Sequence, residues 1–344
     1  MGFNLYFAGF GCKEADPECM EKGALRLLSY HLDKPRVELW NEEDRNMKLY
    51  LAGNKPELTK EQEHRLMSYH TIMERKAESG GEADFRYKNG FPIFLDSGAF
   101  SAHTQGAEID VDDYINYINQ RDDHLTCFAQ LDTIPGKFGQ HKTKKDMDEA
   151  AQKSWENYLY MVEKVKSPKK LMPIYHQGED FKYLDQILNY EPQVDYMGIS
   201  PANDLSTKQK EYWIAECFKR IKKSKNPNIK THAFGMTSLK LLEKFPFYSA
   251  DSTSWLMTGR TGGIMTKFGT IVISDNQTND PKHAIHLPKK FKKELENYVE
   301  GFGFTLTELK DDYKKRMLFN IRYLLDWADN YEYKPQTVRQ NKLF

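Results

Sequence analysis

The sequence predicts an α/β fold of the (β/α)8 barrel class with extra C-terminal helices, and three observations predict it. Apolar runs of strand length alternate with longer segments of helical period. Six of the runs lead into a polar or small residue, and Gly or Pro follows almost every one within a few positions. At 344 residues the chain is long enough for one large barrel with additions.

In chain order, strands are expected at residues 5–10, 47–52, 92–95, 126–131, 171–175, 196–199, 231–234 and 247–250. The segment 37–40 competes for the second place. Helices are expected at 20–30, 60–75, 111–121, 146–165, 181–188, 207–222 and 238–244. Val111, Ile115 and Ile118 recur at i, i+4 and i+7, as do Trp155, Leu159 and Val162, which gives each segment one apolar face. After 270–273 the pattern turns to a helix over 288–298 and a long one over 307–331, where Leu309, Tyr313, Met317, Ile321, Leu324 and Trp327 recur at threes and fours. The stretch 274–344 is therefore expected as a helical extension packed on a single domain spanning 1–344. Residues 77–84, AESGGEAD, read as a loop.

Composition sets the class. With 39% hydrophobic and 29% charged residues the chain is globular rather than disordered. The opening GFNLYFAGFG is too short for a membrane span and lacks the basic flank of a signal peptide, so no membrane and a cytoplasmic location are expected. Cys12, Cys19, Cys127 and Cys217 lack CxxC spacing and read as reduced thiols. Lys plus Arg equals Asp plus Glu at 50 each, so net charge does not advertise a polynucleotide partner. Basic clusters at 141–145, 164–170, 219–230 and 289–293 nevertheless allow a positive face, the last of them through Lys289, Lys290, Lys292 and Lys293.

The strand ends carry the chemistry. Asp96 follows FPIFL, Asp132 follows TCFAQL, His176 and Gln177 follow LMPIY, Ser200 and Asn203 follow YMGI, Gly235 follows THAF, and Asp251 follows FYSA. In a barrel these ends converge on one face. Two carboxylates across a pocket, Asp96 and Asp251, can divide the cleavage of a glycosidic bond between attack at the anomeric carbon and proton transfer to the leaving group. Both also suit caps and turns, as does Asp132 before Thr-Ile-Pro-Gly. Asp132 and Gln177 offer acceptors and donors for the edge of a planar heterocycle, and Phe100 with Met236 or Phe234 could sandwich it. His103, His176 and His232 lie near the same rim. No HxH or HExxH spacing accompanies them, so neither a metal nor another cofactor is expected.

These residues resemble the tRNA-guanine transglycosylases. LDSGAFS at 95–101 is similar to the family's DSGG(F/Y)Q motif, HQGED at 176–180 to its QGG segment, and YMGIS at 196–200 to its Gly-rich base-contacting strand end. HAFGMTSLKLLEKFPFYSADSTSWLMTGRTGG at 232–263 is similar to the run that carries the family's nucleophile and a distal arginine. The resemblance implies a (β/α)8 barrel that exchanges guanine in a nucleic acid for a free 7-deazaguanine through a covalent ribosyl-enzyme intermediate. Asp251 would be the nucleophile at C1′ and Asp96 the proton-transfer group. Ser97, Phe100, Asp132, Gln177, Gly198, Gly235 and Met236 would line the base pocket. Arg260 would hold the polynucleotide with Lys289, Lys290, Lys292 and Lys293.

The departures matter as well. Ala99 and Ser101 alter the first motif, Met257 stands where the first arginine of R-x-x-R belongs, and no cysteine follows Cys217, so the family's zinc subdomain is missing. This favours DNA over tRNA, as in a compact zinc-less branch found in phages and bacteria that inserts bases such as 7-cyano-7-deazaguanine; the compartment would then be the host cytoplasm if phage-encoded. A tRNA-directed enzyme and a non-catalytic nucleic-acid-binding or partner subunit stay open, as does a homodimer.

Overall fold

The structure, a computed structural model, describes residues 47–136, 142–236 and 238–331. The strand expected at 5–10, the helix expected at 20–30, and Cys12 and Cys19 lie outside these residues. The chain runs β1 (Lys48–Leu51), α1 (Pro56–Thr59), β2 (Leu66–Ser68), α2 (Tyr69–Glu74), α3 (Gly81–Asn89), β3 (Ile93–Asp96), α4 (Ala99–Thr104), α5 (Val111–Arg121) and β4 (Leu125–Ala129). It continues through α6 (Lys144–Lys164), β5 (Leu171–Met172), β6 (Ile174–His176), α7 (Phe181–Leu188), β7 (Tyr196–Ser200), α8 (Thr207–Lys223), β8 (Lys230–Ala233), α9 (Leu239–Lys244), β9 (Ser249–Ser252) and α10 (Ser254–Arg260). An antiparallel hairpin, β10 (Gly263–Thr266) and β11 (Gly269–Val272), precedes α11 (Lys289–Gly301), α12 (Leu306–Asp311) and α13 (Tyr313–Asp329).

The fold is mixed α/β with parallel sheets. One sheet has the order β1-β9-β8-β7-β6 and the other β2-β3-β4-β5, with every pairing in both parallel. Their ladders do not close into one continuous sheet. Two links join their margins. Pro173, which has no N–H to donate to a ladder, separates β5 from β6, and its carbonyl accepts from Gly198 N at 2.8 Å. An isolated parallel bridge pairs Leu51 with Arg65. Arg65 is 2% exposed and donates to the carbonyls of Leu51 and Leu66 while forming an ion pair with Glu82 at 2.7 Å. The guanidinium thus ties the end of β1 to the start of β2.

Alternation along the strands sorts the side chains onto two faces. Leu49, Leu51, Ile93 and Leu95 join the main core with Tyr114, Ile118, Met161 and Leu184 of the helices. Their neighbours in sequence, Tyr50, Ala52 and Phe94, face the other way and cluster with Leu66, Cys127 and Met172, flanked by Tyr196 and Phe234. A third cluster joins the hairpin to α11–α13 through Ile264, Ile273, Leu295, Val299 and Phe319. Buried Asn320 fastens α13 to the strands, accepting from Met265 N at 2.7 Å and donating to the Trp255 carbonyl at 3.2 Å.

Three expectations need correction. The segment 60–75 is not one helix: Leu66–Ser68 pairs with β3 as a strand, and Ser68 then caps α2 by accepting from Thr71 N. The apolar spacing of Leu66, Met67, Tyr69 and Ile72 suits a helix, but the pairing partner β3 is invisible to a local pattern. The stretch 77–84 is not a loop, because a π-helical turn, Lys76–Gly80, runs into α3. The helix expected over 307–331 breaks at Asp312, whose carboxylate accepts from Lys314 N and Lys315 N to start α13. Cys127 and Cys217 are buried free thiols. Among the described residues, no helix is long and apolar enough to cross a membrane.

Candidate active site

Register brings the polar strand ends to one level. Ser68 lies opposite Asp96, Tyr50 opposite Asp251, His176 opposite Ser200, and His232 opposite both Gly198 and Ser249. Asp132 and Asp251 both lie near enough to Asp96 to act on it. Burial, then the facing carboxylates of Asp132 and Asp251, push Asp96 up to about 7 from an ordinary 3.8, against the backbone N–H groups of Gly98 and Ser97 that favour its anion. A carboxyl poised near neutrality can both give and take a proton.

The Asp96 loop depends on Gly98. Its φ is +79°, and a Cβ there would lie 2.1 Å from Ser68 Oγ and 2.8 Å from His70 Cβ. Gly98 N donates to Asp96 Oδ2 at 3.0 Å, and Ser97, 1% exposed, is sealed beneath the loop. Gly98→Ala is expected to cost about 2–3 kcal/mol, the sum of left-handed strain and a clash with backbone-anchored atoms. Urea unfolding measures it, and a loss below roughly 0.5 kcal/mol, the scale of an ordinary surface change, would contradict the geometry.

Asp251 is 7% exposed. Its Oδ1 accepts from Gly235 N at 2.7 Å and lies 3.3 Å from His232 Nε2. Among the described residues no hydrogen bond reaches Oδ2. Gly235 has φ +57° and open space where a Cβ would be, so its backbone turns freely toward the carboxylate. His232 is fully buried, and burial lowers its basicity despite the hydrogen bond to Asp251 that works the other way.

Asp132 is held from two sides. Gln130 Nε2 donates to Oδ1 at 2.8 Å, and His176 Nε2 lies 3.2 Å from Oδ2. His176 Nδ1 meets Glu179 Oε1 at 3.1 Å. Burial opposes the imidazolium, but the carboxylates of Asp132 and Glu179 outweigh it and hold His176 well above the ordinary histidine range. Beside Asp132 opens a groove of ≈ 770 Å³ lined by Ala99, Ala102, His103, Leu131, Ile134 and Asn157. A purine-sized ring fits such a volume.

The other expected residues are placed as follows. Gln177 is tied to the neighbouring loop, with Oε1 accepting from Ala202 N at 3.1 Å. A Cβ on Gly198 would lie 2.4 Å from Phe234 Cε2, so the missing side chain is what lets the Phe234 ring lie across β7. Phe100 is 58% exposed, whereas Met236 is 3% exposed and belongs to the main core. Arg260 ends α10, exposed, beside a cleft of ≈ 820 Å³ shared with Asn54, Lys55, Arg75 and Lys310. Lys289, Lys290 and Lys293 are exposed on the first turns of α11, and Lys292 donates to the Ile285 carbonyl at 2.8 Å.

Four contributors escape a strand-end reading: Gln130, Glu179, Ser249 and Tyr196. Ser249 could have been found by parity, because it sits two residues before Asp251 and so shares its face of β9. Scans against protein-family models and a search of curated proteins find no match.

Proposed function

We propose that the protein is a base-exchange transglycosylase that replaces guanine in a polynucleotide, DNA in preference to tRNA, with a free 7-deazaguanine. The observation that carries this function is the proximity of Asp132 and Asp251 to Asp96, which burial and their carboxylates together raise to about 7. In the first half-reaction Asp251 forms a bond to C1′ as the bond from C1′ to the base nitrogen breaks, and protonated Asp96 gives its proton to the departing guanine. In the second half, ionised Asp96 takes the N–H proton of the incoming base, whose nitrogen bonds to C1′ and releases Asp251. Asp132, an acceptor on both oxygens, suits the adjacent N–H groups of a guanine-like edge.

We further propose that the two parallel sheets are arcs of one eight-stranded barrel, with β5 and β6 counted as one strand. Support comes from the Leu51 to Arg65 bridge, from the Pro173 carbonyl bonded to Gly198 N, and from the inner cluster that takes side chains from β1, β2, β3, β4, β5 and β7.

A polynucleotide target requires that the guanine be flipped out or already single-stranded, at a cost of a few kcal/mol. The exposed cations at Arg260 and along α11 suit the phosphates that would offset it. Nucleosides from the DNA and from the tRNA of cells expressing the protein, with 7-deazaguanine supplied, separate the alternatives by mass spectrometry. The expected result is a 7-deazaguanine deoxynucleoside in DNA alone. Its appearance in tRNA alone would move the substrate to tRNA, and its absence from both would leave a binding subunit.

A further inference from the structure

We propose that His232 is a positioning residue for Asp251, locked by Ser249 and Tyr196 as the neutral tautomer that presents Nε2–H to Oδ1 and leaves Oδ2 as the attacking oxygen. The role in attack rests on Asp251 being the nucleophile of base exchange; the tautomer does not.

The polarity of the chain follows from its end groups. An ionised carboxylate only accepts, so the His232 nitrogen 3.3 Å from Asp251 Oδ1 must carry the proton. The ring is fully buried and packed edge-on by Phe94, Phe234 and Tyr50, with centroids 4.7, 4.5 and 5.9 Å away, and burial favours the uncharged form. A neutral imidazole protonated at Nε2 has a lone pair at Nδ1. Ser249 Oγ lies 2.5 Å from that nitrogen and therefore donates to it. The serine oxygen then accepts the Tyr196 hydroxyl proton, its hydrogen-bond partner on the other side. Every link points one way, from Tyr196 through Ser249 and His232 to Asp251.

This arrangement has a chemical consequence. The N–H groups of Gly235 and His232 both fall on Oδ1, so the carboxylate is fixed in rotation with Oδ2 left for C1′. After attack Oδ1 is the carbonyl oxygen of the ester, and the same donors stabilise the carboxylate again as it leaves in the second half-reaction. An imidazolium in this place would hold the anion more tightly and blunt its attack. The opposite tautomer would set a lone pair against Oδ1.

Nitrogen NMR of protein labelled with 15N in its histidine rings reads the tautomer directly, with the His232 signals assigned by their loss in His232→Gln. The expected pattern at pH 7 is a neutral ring protonated at Nε2, shifting toward mixed tautomers in Ser249→Ala and Tyr196→Phe. A ring protonated at Nδ1, or cationic, in the unaltered protein would overturn the proposal without bearing on base exchange. In single-turnover exchange, His232→Leu is expected to slow adduct formation about 100-fold with KM near its original value, and His232→Gln, which keeps one donor, to recover about 10-fold of that. Equal losses in Leu and Gln would overturn the positioning role. If the unaltered protein exchanges no base in any polynucleotide, base exchange fails while the NMR result still decides the tautomer.

Discussion

Asp251→Asn is expected to lower base exchange by about 10⁴-fold or more, the scale on which an enzyme loses rate when its covalent nucleophile is removed. Asparagine keeps the shape and the acceptor that Gly235 N needs at 2.7 Å, so the loop at Gly235 and the buried His232 retain their partners. The amide oxygen cannot form a stable ester with C1′. Affinity for guanine-containing single-stranded DNA is accordingly expected within about 3-fold of the unaltered protein, because the cations proposed to meet the phosphates are untouched. Exchange assays and binding titrations on the same preparation give both numbers. Full exchange by this variant would remove Asp251 from the chemistry.

Asp96→Asn is expected to move activity and stability in opposite directions. Activity falls by about 10²- to 10⁴-fold, because asparagine transfers no proton. Stability rises, and the sign follows from proton binding. Asp96 is raised to about 7 in the folded chain against an ordinary 3.8, so between these values the folded state holds a proton that the unfolded state has released. Folding therefore weakens as pH rises through that window. The window spans 7 minus 3.8, about 3 pH units, which sets a ceiling of roughly 4 kcal/mol at 1.36 kcal/mol each. Solvent access and relaxation reduce this to an expected gain of about 1–3 kcal/mol for the variant at pH 8, vanishing near pH 4. Urea unfolding at both pH values checks it. A variant no more stable at pH 8 than at pH 4, relative to the parent, would mean that burial and the carboxylates of Asp132 and Asp251 do not raise Asp96.

Much of this was legible in the sequence where the signal was local. The helices at Val111–Arg121 and Phe181–Leu188 are where helical spacing put them, and the structure adds the N-caps Asp110 and Asp180 that start them. The strand ends at Asp96 and Asp251 follow from apolar runs broken by a carboxylate. What the sequence hid was pairing across distance. Leu66–Ser68 is a strand because β3 lies beside it, and Phe234 covers Gly198 because β7 and β8 are neighbours. His232 shows the same limit within the site. The strand-end pattern puts it near the same rim as Asp251, but its place against Ser249 appears only in the pairing of β8 with β9. Gln177 and Met236 sat at the right strand ends, yet local hydrogen bonding ties the first to Ala202 and burial draws the second into the main core.

Intact-mass spectrometry of the quenched protein tests the proposed covalent intermediate on Asp251 most directly. The protein is mixed with guanine-containing single-stranded DNA and a 7-deazaguanine, then denatured in acid at short times. A species heavier by the oligonucleotide less one guanine, absent from Asp251→Asn and cleaved at a peptide containing Asp251, is the predicted result. Exchange of the base without any such species, or an adduct that persists in Asp251→Asn, would contradict it.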